Sequence, residues 1–164
     1  MKANYFYLAP LIKSRLEEAI PDLINIYGAA EYSRLETFDP ITPCAFVIYN
    51  GDVTPSNVQN TAGVMRLTQN VTQRWLVVVC VNYSDPLGLD EEMFSEGGVL
   101  VSDVISAISG WCPDEKNATP FHRSNQNIPP DYGDGLGFFP VNFEILIPKK
   151  LGGGNAGQNH HGRS

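Results

Sequence analysis

The segment Val71–Tyr83 constrains the fold more than any other part of the chain. Read in alternation, Val71, Trp75, Val77, Val79, Val81 and Tyr83 fall on one side of a strand, and Leu76, Val78 and Cys80 on the other. A strand with one wet face alternates apolar with polar residues, whereas one apolar on both faces at its centre needs a cover on each. The chain is therefore expected to build a layer on each side of a central strand. The run Trp75–Val81 is far too short to cross a bilayer, which takes roughly 20 residues. Asp85-Pro86-Leu87-Gly88 ends it.

The covering elements are legible on both sides of this strand. Leu8, Leu11, Ile12, Leu16, Ala19 and Ile20 recur at three- and four-residue steps, the stripe of an amphipathic helix. Lys13, Arg15, Glu17 and Glu18 take its wet face, Pro10 fits the first turn and Pro21 stops it. Val101, Val104, Ile105, Ile108 and Trp111 mark a second helix. Gly110 stands where a left-handed C-terminal cap belongs, with Pro113 beyond it. Gly97-Gly98 either weakens the first turn of that helix or admits a close neighbour.

Further strands are expected at Leu23–Tyr27, closed by Gly28, and at Cys44–Asn50, between Pro43 and Gly51-Asp52. Residues 53–70 turn polar but keep Val58, Val64, Met65 and Leu67, as a long exposed strand or a protruding hairpin arm would. Residues 113–137 read as a long irregular connection with a short strand near Thr119–Arg123. In the closing strand Phe138–Ile147, Phe139, Val141, Phe143, Ile145 and Ile147 alternate with Asn142 and Glu144. That pattern predicts an outer strand with one buried face. The fold class is α+β: two helices on a mainly antiparallel sheet. One domain, 1–150, is followed by a flexible Gly/Asn-rich tail, 151–164.

Composition bounds the function. Eleven basic against eighteen acidic residues give a net charge of −7, which argues against a free-standing nucleic-acid binder. Only 18% of residues are charged while 43% are hydrophobic, so the chain buries an unusual share of itself or covers surface with other chains. Cys44, Cys80 and Cys112 are odd in number and widely spaced, as in a reduced, cytoplasmic setting. The N-terminus, broken by Pro10 and Lys13, lacks a signal-peptide core. A soluble protein without membrane association is expected.

No constellation announces chemistry. Asp90, Glu91 and Glu92 suit a helix N-terminus. Asp131 and Asp134 with Gly133 and Gly135 suit turns, and lack the ligand run and terminal Glu of a calcium loop. His122 stands alone, and His160 and His161 lie in the tail. Gly133-Asp134-Gly135-Leu136-Gly137 lacks the Lys-Ser/Thr of a phosphate loop. No serine sits in a nucleophile elbow. We therefore expect no catalytic residue, no metal and no cofactor. The arm at 53–70, the loop at 113–137 and the tail exceed what a small core needs, and such segments order against neighbouring subunits.

Several stretches share the pattern of one family. They are Arg74-Trp75-Leu76-Val77-Val78-Val79, the helix end Val104 through Gly110-Trp111-Cys112-Pro113, Pro129-Pro130-Asp131-Tyr132, and Phe138-Phe139-Pro140-Val141-Asn142-Phe143. In this arrangement the chain, up to about residue 150, resembles the tail terminator (tail completion) proteins of long-tailed, especially contractile-tailed, bacteriophages. The resemblance implies a structural virion protein of the tail and neck, assembled in the host cytoplasm. It implies a hexameric ring of identical subunits that caps the tail tube, ends its polymerisation and meets the head-side connector or stopper, with the tail sheath as a further neighbour. It transfers no catalytic residue. DNA would be passing cargo only, and acidic side chains are expected to outnumber basic ones on the pore wall. Trp111 reads as core packing. The alternatives are another neck or head–tail connector subunit and, from a different class, a small α+β enzyme with a site built from distant residues.

Overall fold

The computed structural model describes residues 3–54, 60–61, 64–65, 68–83 and 90–150. In chain order the elements are α1 (Leu8–Ala19), β1 (Asn25–Gly28), α2 (Ala29–Tyr32), β2 (Cys44–Val53), β3 (Asn60–Thr61), β4 (Val64–Met65), β5 (Thr68–Asn82), α3 (Asp90–Ile108), β6 (His122–Arg123), β7 (Asp131–Gly133) and β8 (Leu136–Lys150). The main sheet runs β1-β2-β5-β8-β6, with β7 also paired to β8. Only β1 and β2 are parallel; the other pairs of this sheet are antiparallel. The architecture is α+β.

β5 lies at the centre, as its two apolar faces require. It pairs with β2 on one side and along its whole length with β8 on the other, from Thr68 opposite Lys150 to Asn82 opposite Leu136. Trp75, Val77, Val79 and Val81 enter the larger core with Leu8, Ile12, Leu16, Leu100, Val104 and Ile108. α1 and α3 therefore cover this face. Val78 and Cys80 enter a second cluster with Cys44, Phe46 and Phe138 on the opposite face. Tyr27, Tyr32 and Leu35 pack against it, so α2 and its flanks supply the second cover. This small third helix is an addition to the two expected from periodicity; four residues are too few to show a period.

α1 buries Leu8, Ile12 and Leu16 at four-residue steps, a narrower stripe than the sequence suggests, since Leu11 and Ala19 remain exposed. α3 begins at Asp90, so the acidic residues form its first turn rather than precede it. Gly97 lies inside it for packing: a Cβ there would stand 2.8 Å from the Phe139 ring. Gly110 takes the left-handed conformation, φ +82°, that closes the helix without penalty to a residue lacking Cβ.

The expectation for β8 needs correction. It is not an outer strand: β7 pairs with Phe138, Gly137 and Leu136, and β6 with Glu144 and Phe143, on the edge away from β5. The long 113–137 connection folds back and occupies hydrogen-bonding groups that an edge would leave open. Asn142, expected on a wet face, is only 5% exposed. The return is set by Asp134-Gly135, both at positive φ (54° and 74°), between the paired Gly133 and Leu136. That is the two-residue hairpin chemistry of Asp-Gly, so these residues are a turn as read from the sequence.

Between β2 and β5, β3 and β4 pair antiparallel in a sheet of their own, Asn60 with Met65 and Thr61 with Val64. A hairpin is thus present within the expected arm. The remainder of the arm, and the tail 151–164 with His160 and His161, lie outside the described residues.

Candidate functional site

The corner after α3 is built by backbone first. Trp111 N–H donates to the Ile108 carbonyl, Gly110 N–H to Phe121, and Phe121 N–H back to Trp111. These bonds lay the indole parallel to the Phe121 ring, centroids 5.8 Å apart and planes 17° apart. The Arg15 guanidinium lies 5.5 Å from the indole centroid, and its Nε donates to the Ala107 carbonyl at 3.0 Å. Trp111 therefore joins α1, α3 and the loop to β6. Packing accounts for it fully, as the sequence suggests. Beside it, Tyr7 donates its hydroxyl to Asp114 at 2.8 Å. Burial, and then this carboxylate, push the phenol up to about 12, while the hydroxyl holds Asp114 below its ordinary range.

A second constellation occupies the outer face of β8. Arg74 Nε lies 3.2 Å from Glu144 Oε1, Ser124 donates to the same oxygen at 2.9 Å, and His122 Nε2 stands 3.4 Å from Oε2. Burial pushes the Glu144 carboxyl up, but the Ser124 and Arg74 bonds outweigh it and leave the group below its ordinary value. Asn142 donates to Gln126 at 3.2 Å, and its buried Oδ1 has no hydrogen-bond partner among the described residues. The cluster ties the Ser124 hydroxyl to a carboxylate already paired with Arg74. It is a polar clamp that holds the returning loop on the sheet.

At the far end of β2, Asp52 accepts the hydroxyls of Tyr5 and of Tyr49, the latter at 2.8 Å. Those two bonds lower the Asp52 carboxyl below its usual value. Phe6 packs edge-on to Tyr49, centroids 4.8 Å apart. Tyr5, Phe6 and Val53 are all substantially exposed there. At the opposite end of the sheet Phe94, Tyr132 and Phe139 form another partly exposed aromatic group.

The same end holds a surface recess of about 570 Å³ between α3 and the turn before β2. Asp22, Glu91, Glu92 and Glu96 line it together with Pro43 and Val99, with no basic residue among the described ones that line it. Ile24, whose N–H donates to the Pro43 carbonyl, and Ile41 flank Pro43. Val99, Ile24 and Ile41, at 58–60%, are the most exposed large apolar side chains among the described residues. Sequence reading placed the acidic run correctly but missed the recess, because Asp22 and Pro43 reach it from distant segments.

Cys44 and Cys80 stand opposite one another across β2 and β5, buried and free, and Cys112 is partly exposed. Their mutual hydrogen bond and burial raise the Cys44 thiol, which suits an inert core residue rather than a nucleophile. Among the described residues no group of three or more His, Cys, Asp or Glu is arranged to hold a metal ion. No helix among them is long and apolar enough to cross a membrane.

What distinguishes the described residues is thus the exposed apolar surface at both ends of one sheet. No curated protein matches the chain. A family model described as phage tail terminator protein matches residues 1–148, which takes in every element from α1 to the last turns of β8. The chain belongs to the phage tail terminator family, and its role is a structural one in completing the phage tail.

Proposed function

We propose that the protein forms a ring, hexameric as the resemblance implies, that caps the tail tube, stops its growth and presents the surface to which the head-side connector or stopper joins. The observation that carries this is the placement of exposed apolar side chains outside both buried clusters: Tyr5, Phe6 and Val53 at one end of the sheet, Ile24, Ile41, Val99 and Phe94 at the other. Apolar side chains grouped this way on a subunit mark surfaces that other subunits cover. The tube protein and the tail sheath are the remaining neighbours. The net charge of −7 suits a pore wall on which carboxylates outnumber bases, across which DNA slides without being gripped. Residues 1–150 act as the assembling domain, with 151–164 as an appendage. Localisation is the virion neck after assembly in the host cytoplasm.

Particles made without this protein test the reading. Electron microscopy is expected to show tails of uncontrolled length, or tails that fail to join heads. Tails of normal length joined to heads would refute the terminator role.

A further inference from the structure

Two features at opposite ends of the sheet have complementary chemistry. The recess beside Pro43 combines four carboxylates, no base among its described lining and the exposed apolar edge of Val99, and the exposed Ile24 and Ile41 adjoin Pro43 in the chain fold. The segment between β2 and β5, residues 54–67, carries Val58, Val64, Met65, Leu67 and Arg66, and the chain has no carboxylate anywhere between Asp52 and Asp85. One surface is apolar and acidic; the other is studded with apolar residues and carries one charge, the positive Arg66. Complementary charge selects the partner and fixes its register, while the apolar contacts supply most of the binding free energy.

Geometry decides whose arm fills the recess. Pro43 immediately precedes β2 and Thr54 immediately follows it, so the two surfaces are separated by the whole strand Cys44–Val53. Ten extended residues span roughly 30 Å. A segment of this length doubled back on itself, as the pairing of Asn60 with Met65 requires, reaches at most about 24 Å from its base. An arm therefore falls short of the recess on its own subunit. We propose that the recess is the socket for the 54–67 arm of a second copy of this chain, so that copies join head to tail. Such a heterologous contact leaves a free arm at one end and a free recess at the other, and closes only into a ring. This inference rests on the ring reading above and deepens it by naming both halves of the contact.

The test uses the full-length purified chain with one new cysteine at a time, Val64→Cys on the arm or Val99→Cys in the recess. Cys112→Ser removes the partly exposed native thiol; Cys44 and Cys80 are buried. Mixed one to one and treated with a short bis-maleimide, the two variants are expected to give a mixed dimer. The chain carrying both changes should give a ladder of multimers. Glu92→Lys with Glu96→Lys should lower the mixed-dimer yield at least about tenfold, equivalent to 1.4 kcal/mol, and Arg66→Glu on the partner chain should restore it. Val99 and both glutamates are exposed, so these changes leave the core intact. Cross-links only between like cysteines, or none, overturn the proposal. The outcome is separable from the ring reading itself. Normal tail length and joining in virions complemented by the double-cysteine chain, without an arm-to-recess cross-link, would sink this contact and leave the terminator role standing.

Discussion

Two adjacent glycines in α3 have opposite meanings. A Cβ on Gly97 would stand 2.8 Å from one Phe139 ring carbon and 3.2 Å from another, whereas a Cβ on Gly98 meets nothing within 4 Å. Gly97→Ala is therefore expected to destabilise by about 1–3 kcal/mol through overpacking. Gly98→Ala should stabilise by about 0.5–1 kcal/mol, since alanine loses less backbone entropy in a helix. Urea denaturation of the two variants checks both signs. The sequence shows the glycine pair but not which one faces the sheet, because the partner ring comes from a strand forty residues further on. Tyr7 makes a second residue-scale prediction. Its phenol is raised from 10.0 to about 12 by burial and by Asp114, so the protonated form is favoured in the folded state. The phenol's contribution to stability is complete below pH 10 and is lost as the pH rises toward 12. Tyr7→Phe should flatten that part of the stability profile, measured as thermal midpoints across alkaline pH. A profile unchanged by the substitution would remove Tyr7 from the account.

Among the elements, those with long, strong patterns were readable and those completed by returning chain were not. β5 announces two covered faces through Val77 and Val79 on one side and Val78 and Cys80 on the other, and both covers exist. α1 and α3 follow from their stripes. α2 is too short to carry a period, the short strand expected near Thr119–Arg123 is present as β6, and β8 is not the outer strand that its alternation suggests. Its alternation, Phe139, Val141, Phe143 and Ile145 against Asn142 and Glu144, is that of a strand wet on one face. The structure instead buries Asn142 under the returning loop, where Gln126 accepts one amide hydrogen and Oδ1 is left without a partner among the described residues. Leaving a buried acceptor unmade costs roughly 1–3 kcal/mol. Asn142→Leu, which removes that acceptor at similar volume, is expected to be neutral or to stabilise by about 1 kcal/mol, again by urea denaturation. A loss above that size would show that Oδ1 is satisfied in solution. The recess was invisible in sequence for the same reason as β7: its lining joins Asp22, Pro43 and the start of α3, which periodicity treats separately.

At the scale of the whole molecule, the low charge content has two sources. Both faces of the main sheet are covered, which absorbs much of the apolar composition, and a remainder stands exposed at the two ends of β2. Among the described residues, the two buried clusters run from Leu8 to Ile145. Removing residues 151–164 is accordingly expected to leave the thermal midpoint unchanged, as calorimetry would show. A lowered midpoint would assign those residues a place in the fold.

The continuous pairing of β5 with β8 also has a mechanical consequence. Thr68 and Lys150 lie at one end of the ladder, Asn82 and Leu136 at the other. Tension applied between the arm end and the recess end of a subunit runs parallel to these strands and shears their hydrogen bonds together. Tension between the start of β5 and the end of β8, which share one end, would peel the bonds apart one after another. A ring strained around its circumference would thus load each subunit along its stiff direction, and the direction that unzips it points toward the C-terminus.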